Sequence, residues 1–259
     1  MSHPIEHILT EFESIGLEDM EGVKLMDRTD TKFSFNVGML PQLLQQLKNE
    51  YRVLAIQNKR LATYNTLYFD TSDFALYHKH HCGALNRYKV RHRTYTDSQL
   101  AFLEVKFKNN KGRTIKNRIK QPGIAETWTD KSNNFILKYT PYKAEQLQPV
   151  IWINYKRITL VGKHSAERVT IDVDLEFEFN GRKTGLNHLV IAEVKQAGKK
   201  RTAILDVFRT FRIKAESLSK YCLGMASLYP EIKHNNFKEK IIYLTKINHD
   251  KSVKFASGF

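Results

Sequence analysis

The apolar residues of this chain follow two periods, one typical of helices and the other of strands. Helical spacing predicts a short amphipathic helix at the start of the chain, formed by Ile5, Ile8, Leu9, Phe12 and Ile15. By the same criterion, further helices are predicted at Leu40–Leu47, Ser72–His81, Thr202–Phe211 and Glu216–Tyr229. The segment from Glu231 onward is basic and weakly patterned, which leaves a peripheral helix and a loose tail as alternatives.

Most of the remaining chain alternates with period two and is rich in β-branched and aromatic residues, which is typical of strands. About eight strands are predicted: Thr31–Val37, Ala62–Phe69, Asn86–Tyr95, Leu100–Lys108, Thr114–Lys120, Pro149–Val161, Arg168–Phe179 and Leu189–Gln196. Several are joined by short turns, and no βαβ rhythm is present. The pattern therefore predicts one antiparallel β-rich domain.

The charged residues of these strands share one face of each strand. In the third predicted strand the alternate positions are Arg87, Lys89, Arg91 and Arg93, with no acid between them. A solvated sheet face would explain any single strand. Four adjacent like charges, however, need an anion nearby, and the opposite faces are apolar enough to pack under helices. We therefore expect an α+β fold: a closed antiparallel eight-stranded β-barrel, forming a tunnel, with helices packed outside.

The composition narrows the partner to a polyanion. Lys and Arg number 42 against 27 Asp and Glu, which leaves a formal charge of +15. Charge alone admits nucleic acid, an anionic membrane or a phosphorylated molecule. A duplex could not enter a barrel of eight strands, whereas a thin phosphate chain could, so polyphosphate or a nucleoside triphosphate is favoured over nucleic acid.

Neither the cysteines nor the apolar runs suggest secretion. Cys82 and Cys222 form no paired motif, which suits a reducing compartment. No run approaches the ~18 apolar residues of a membrane span, and Met1 to Leu17 lacks the features of a signal peptide. The sequence predicts a cytoplasmic protein with no membrane span of its own and leaves a membrane partner and the oligomeric state open.

Several motifs occur in a fixed order along the chain. They are Arg28-Thr-Asp-Thr-Lys32, Tyr68-Phe-Asp-Thr71, Phe74-Ala-Leu-Tyr77, Lys89-Val-Arg-His-Arg93, Leu103-Glu-Val-Lys106, Asn154-Tyr-Lys-Arg157, Arg168-Val-Thr-Ile-Asp172, Ala192-Glu-Val-Lys195 and Ser219-Lys-Tyr-Cys222. Over Met26 to Tyr229 the chain resembles the VTC domain (vacuolar transporter chaperone) of polyphosphate polymerases, within the CYTH-like triphosphate tunnel metalloenzymes.

The resemblance implies a set of phosphate-binding or catalytic residues: Lys32, Lys89, Arg91, Arg93, Lys106, Lys116, Tyr155, Arg157, Arg168, Lys195, Ser219 and Lys220. It also implies that Glu193 holds Mn²⁺ or Mg²⁺. The chain departs from the family at Ser217, where the family has a lysine, and Lys214 is a candidate to compensate. Asp172, Asp174 and Glu176 could form a second metal site or could balance the neighbouring arginines.

The implied activity is that of an ATP-dependent polyphosphate polymerase, which moves the γ-phosphate of ATP to a growing chain. ATP and inorganic polyphosphate are the implied partners. A tunnel-type triphosphate or polyphosphate hydrolase and a non-catalytic polyphosphate-binding module stay open as alternatives. The predicted organisation is a tunnel domain over residues 1–230 and a basic C-terminal extension over residues 231–259.

Overall fold

The computed structural model describes residues 5–20, 29–123, 128–198 and 200–250. Arg28 of the first motif and the end of the extension, residues 251–259, lie outside the described residues. The helices are α1 (Glu6–Thr10), α2 (Leu40–Leu47), α3 (Ala75–His81), α4 (Asp130–Tyr139), α5 (Ala203–Thr210), α6 (Lys220–Leu228) and α7 (Lys238–His249).

The strands include all eight that the sequence predicts and four short additional ones. In chain order they are β1 (Ser14–Ile15), β2 (Thr29–Asn36), β3 (Tyr51–Leu54), β4 (Ala62–Asp70), β5 (Arg87–Tyr95), β6 (Leu100–Lys108), β7 (Thr114–Lys120), β8 (Gln148–Gly162), β9 (Glu167–Phe179), β10 (Arg182–Leu186), β11 (Leu189–Gln196) and β12 (Ala215–Glu216). Glu216, predicted to begin the last helix of the domain, therefore lies in a strand instead.

The strands form one large sheet in the order β12–β2–β11–β9–β8–β4–β5–β6–β7. All pairings along this path are antiparallel, while β1, β3 and β10 attach at its margins. The prediction of an antiparallel, β-rich α+β fold is confirmed.

The prediction of a closed barrel is wrong for this structure, because the sheet is open. Over the described residues, β7 pairs only with β6, and the edge of β2 that would have to meet β7 pairs instead with the two residues of β12. Since β12 occupies part of that edge, β2 and β7 do not join. The alternation of charge correctly separates two faces but does not fix which edges pair.

One face of the sheet is apolar and covered by helices, as predicted. Helices α1, α2 and α5 pack against Phe33, Ile158 and Ile171, and α4 packs against Leu103 and its neighbours. This is the outer face. Its helices are amphipathic; in α2, for example, the buried positions are Leu40, Leu43, Leu44 and Leu47.

The opposite, inner face carries the cations, and it is covered in part by α6 rather than left open. Tyr221 of α6 stacks on Tyr68 of β4 at 4.9 Å between ring centroids. Gly224 allows this close approach, because a Cβ atom there would lie 2.6 Å from Ile151 and from Phe177. Helix α6 is apolar nearly all round, so it belongs in the interior. The expectation that all helices pack outside is therefore wrong for α6.

The described part of the C-terminal extension is folded onto the same face. Leu244 of α7 is buried, and Asn36 of β2 donates a hydrogen bond to the carbonyl of Ile247 at 2.7 Å. Of the two alternatives for this segment, the structure has the helix. Within the described residues, no helix combines the length and apolar character that crossing a bilayer requires.

Candidate functional site

The first charged cluster of the inner face is built around a buried carboxylate held between two cations. Glu104 of β6 is fully buried and accepts from Arg91 Nε of β5 at 2.7 Å. Lys116 of β7 forms an ion pair with its other oxygen. Burial alone would raise the pKa of the Glu104 carboxyl, but Arg91, Arg93 and Lys116 hold it well below its usual value. Glu104 therefore stays ionised and fixes the position of two cations.

Side chains of β4 contact Arg91 and Arg93 from the neighbouring strand. Arg91 Nη1 donates to the hydroxyl of Tyr68 at 3.0 Å, and Arg93 Nε donates to the hydroxyl of Thr66 at 3.3 Å. Although burial raises the pKa of Tyr68, the charges of Arg91, Arg93 and Lys89 outweigh it and lower the pKa to about 8. Arg93 is thus oriented by a neutral hydroxyl, whereas Arg91 is held by both the Tyr68 hydroxyl and the Glu104 carboxylate.

Lys106 lies next to these groups on β6. Arg91, together with burial and Arg93, holds the pKa of the Lys106 ammonium well below its usual value. The cause is mutual repulsion between cations that face one another across β5 and β6. An anion placed among them would relieve this repulsion, so the site is electrostatically suited to bind a phosphate.

A second charged cluster spans β8, β9 and α6. Arg157 donates to both oxygens of the Asp172 carboxylate at 2.6 and 2.9 Å, and Lys220 Nζ lies 2.5 Å from Oδ2 of the same group. Tyr155 stacks on Tyr64 at 5.3 Å, and the Lys220 ammonium lies 5.1 Å from the Tyr155 ring centroid. The buried hydroxyl of Tyr155 has no hydrogen-bond partner among the described residues.

Glu193 lies at the third cluster, between β2 and β9. Its Cα position pairs with Lys32 on one side and with Thr170 on the other. Oε1 lies 2.9 Å from Lys195 Nζ, which also contacts Asp30 at 2.8 Å. Burial would raise the pKa of the Glu193 carboxyl, but Lys195 and Lys32 lower it well below its usual value. The group is a carboxylate at neutral pH.

The segment before α6 joins these clusters, because three successive residues each accept from a different lysine. Ser217 accepts from Lys240 of α7, at 3.0 Å to its hydroxyl. The carbonyl of Leu218 accepts from Lys32 at 2.8 Å, and the hydroxyl of Ser219 accepts from Lys89 at 2.8 Å. This three-residue segment is called the 217–219 loop below. Lys214, the candidate to compensate for Ser217, is exposed, and the cation that reaches Ser217 is Lys240.

The oxygen atoms at and beside Glu193 are of the kind that binds a hard divalent cation. Glu193 offers a carboxylate, and the buried hydroxyl of Thr170, paired with it across the strands, has no hydrogen-bond partner among the described residues. Mg²⁺ is usually held by one or two carboxylates together with water and substrate phosphates. The residues therefore fit such an ion bound jointly with a phosphate. The described residues contain no group of three or more His, Cys, Asp or Glu able to hold a metal by themselves.

The structure separates the three acids that were considered as a second metal site. The register between β8 and β9 shifts after Asn154, and Asp174 adopts a left-handed backbone with φ of 52°. This bulge turns Glu176 away from the inner face. Glu176 forms an ion pair with Lys183 instead, and Asp174 forms one with Lys156. Only Asp172 lies in the site, and there it balances Arg157 and Lys220. The observed role is the charge balance weighed as the alternative.

The inner face brings together the residues that the resemblance selected. Arg168 pairs in register with Lys195, and Ser219 caps α6 by accepting from the Cys222 amide. Sequence reasoning did not assign Glu104, Thr66, Tyr64 or Tyr68 to the site. The alternation of Glu104 with Val105 and of Tyr68 with Leu67 places these residues on the charged face, and this signal could have identified them.

Comparison with known families agrees with the motifs on these strands. The model of the VTC domain matches residues 27–229, which is most of the chain. This chain belongs to the VTC domain family. A search of curated proteins returned no match. The VTC match ends at Tyr229, the residue directly after α6, so that α7, with Lys240, lies beyond it.

Solved structures with similarity to this VTC-domain chain are distant in sequence. A candidate adenylyl cyclase from Hippeastrum, described as having a dominant triphosphatase activity, is 12% identical with a TM-score of 0.48, and the match covers 78% of this chain and 96% of that protein. A candidate adenylate cyclase from Bacillus halodurans is 13% identical with a TM-score of 0.46, covering 75% and 96%. The PH1819 protein from Pyrococcus horikoshii is 10% identical with a TM-score of 0.44, covering 77% and 96%. The family assignment rests on the VTC match.

Proposed function

We propose that this VTC-domain protein is an ATP-dependent polyphosphate polymerase that transfers the γ-phosphate of ATP to a growing polyphosphate chain. The observation that carries the proposal is the surplus of cations on the inner face. Glu104 and Asp172 are each bonded by two cations, so neither acid neutralises its surroundings. Lys89 and Arg93 add charge and have no ion-pair partner in the described ranges.

The proposed roles of the residues follow from what phosphoryl transfer requires. The reaction needs charge neutralisation and in-line positioning more than a protein nucleophile. Arg91, Arg93 and Arg157 present planar guanidinium groups that can grip phosphate oxygens. Lys32, Lys89, Lys106, Lys116, Arg168, Lys195 and Lys220 would neutralise the oxygens around them, and the hydroxyls of Tyr155 and Ser219 would add neutral contacts.

A divalent ion at Glu193, Mn²⁺ or Mg²⁺, would supply charge neutralisation between adjacent phosphates. Glu193 and Thr170 are the residues proposed to hold it. The acceptor is the end of a phosphate chain, which is already an oxyanion, so no general base is required from the protein. ATP and inorganic polyphosphate are the proposed partners. The sheet is open between its edge strands β7 and β12, and a product chain would leave the inner face through this gap.

The test is an assay of the purified protein with ATP and Mn²⁺. Long phosphate chains together with ADP would support the polymerase. Free phosphate without chains would replace it with a tunnel-type hydrolase, and binding of polyphosphate without turnover would replace it with a binding module. Arg93→Met should abolish the activity. Arg209→Met on the outer helix α5, which also removes one guanidinium, is the matched control and should retain it.

A further inference from the structure

The cations of the inner face continue onto the edge strand β7 beyond Lys116. Arg118 and Lys120 share the face of Lys116, because side chains two apart on a strand point the same way. The ion pair of Lys116 with Glu104 and the position of Arg118, 4.5 Å from the Phe102 ring centroid, fix that face as the inner one. Ile119 points to the outer side and packs against the core there.

These two cations lie in register with Arg91 and Arg93 of the first cluster. Across the sheet, Arg118 pairs with Glu104, which pairs with Arg91. Two residues further along the strands, Lys120 pairs with Phe102, which pairs with Arg93. Each row thus begins at a buried arginine of β5 and ends at an exposed cation of β7. Adjacent strands are about 4.8 Å apart, so the rows extend roughly 10 Å outward.

Exposure of the cations increases along these rows. Arg91 and Arg93 are 5% and 8% exposed, whereas Arg118 and Lys120 are both exposed. Neither Arg118 nor Lys120 has an ion-pair partner among the residues that the structure describes. Lysines on an edge strand often serve only to prevent sheet-to-sheet pairing. That role does not explain why all the cations of β7 lie on the same face as Lys89, Arg91, Arg93 and Lys106. Without an anion, this arrangement costs energy.

We propose that Arg118 and Lys120 form an outer phosphate subsite, which binds the phosphates of a polyphosphate chain lying beyond those held by Arg91 and Arg93. This inference rests on the proposed function in one respect, namely that the inner face binds a phosphate chain. The open sheet leaves the subsite accessible from the β7 edge. A chain bound by Arg91 and Arg93 continues over β7, whereas a short triphosphate is held by the cations of β5 and β6 alone.

The test compares the affinities of the full chain for long-chain polyphosphate and for tripolyphosphate, by calorimetry without nucleotide or metal at about 0.15 M salt. The variant is Arg118→Met with Lys120→Met. We expect its Kd for long-chain polyphosphate to rise by about tenfold or more, because two charge-assisted contacts are lost. Its Kd for tripolyphosphate should stay within about twofold of the wild-type value.

The matched control is Lys131→Met with Lys138→Met on the outer helix α4, which removes the same net charge from the opposite face. Equal weakening of both ligands, or equal weakening by the control, would overturn the subsite, since either would indicate only a general electrostatic effect. If the wild-type protein bound neither ligand, the proposed function itself would fail. The two failures are distinguishable. If only the subsite proposal is wrong, the wild-type protein still binds both ligands, and the variant weakens the binding of both equally.

Discussion

The ammonium group of Lys240 donates to Ser217 through both the backbone carbonyl and the hydroxyl of the serine. This contact joins α7, outside the VTC match, to the 217–219 loop inside it. The next two residues of the loop accept from Lys32 and Lys89. A residue of the C-terminal extension therefore helps to hold the segment on which two lysines of the site rest.

Replacing Lys240 should weaken anion binding although the residue lies outside the family domain. We expect Lys240→Met to raise the Kd for tripolyphosphate several-fold, because the 217–219 loop loses an anchor and the face loses one positive charge. Lys240→Arg should restore most of the affinity. Lys246→Met, on an exposed position of the same helix, removes the same charge and should change little. Equal Kd values for the two Met variants would contradict the anchoring role.

Removing the carboxylate of Glu193 should affect metal use and metal-free binding in opposite directions. Glu193→Gln should raise the Mn²⁺ concentration needed for half-maximal activity, because the carboxylate proposed to hold the ion is replaced by a neutral amide. Without metal, the same variant should bind tripolyphosphate more tightly, since Lys32 and Lys195 lose a competing anion. Titrations with and without Mn²⁺ measure both effects. The exposed Glu145→Gln serves as the control, and a parallel loss in both titrations would argue against a metal role.

Anion binding should take up protons near pH 8. Burial lowers the pKa of the Lys116 ammonium to about 8, although Glu104 opposes the shift. A bound phosphate raises that pKa, so between pH 8 and 9 binding protonates the lysine and affinity falls as pH rises. Calorimetry in two buffers of different ionisation enthalpy measures the uptake. Lys116→Arg, which stays charged, should take up fewer protons; an unchanged uptake would assign it to another group such as Tyr68, whose pKa is also about 8.

Filling the space at Gly224 should destabilise the protein and weaken the site together. Gly224→Ala favours the helix by about 1 kcal/mol. The new Cβ would nevertheless lie 2.6 Å from Ile151 and Phe177, and overpacking of a core costs about 1–3 kcal/mol. We expect a net loss of up to ~2 kcal/mol, and a shift of α6 that displaces Lys220. Thermal unfolding and tripolyphosphate affinity measure the two effects.

Ser227→Ala, at an exposed position of the same helix, is the control for Gly224→Ala. It should leave tripolyphosphate affinity unchanged, since its side chain bonds only to the Leu223 carbonyl within the helix. If Gly224→Ala bound the anion as well as the wild-type protein did, the placement of α6 would not determine the geometry of Lys220.

The sequence was sufficient to locate the eight longer strands and to assign the faces of most of their residues. Period-two alternation is local information, and for this reason the strand predicted at Leu189–Gln196 is confirmed with the same bounds. Helix α4 was not predicted, although Thr129 caps it and Phe135, Ile136 and Tyr139 have helical spacing. The signal was present but short and lay between two segments with clearer patterns.

Features that depend on distant segments could not be read from the pattern. Closure of the sheet depends on whether the edge of β2 meets β7 or β12, and residues 33 and 215 are far apart in sequence. The bulge at Asp174 reverses the faces of the residues after it, which is why alternation misplaced Glu176. Lys240 carried no motif, and only the docking of α7 brings it to the site.

The bond from Lys32 to the carbonyl of Leu218 spans 186 residues. During synthesis, the basic strands of the site leave the ribosome long before the loop that receives this lysine. Contacts of such high sequence separation form late, because the closure of a long loop must precede them. Until the residues of α6 have left the ribosome, the nascent chain therefore carries the cations of these strands without the helix that orders Lys32 and Lys89.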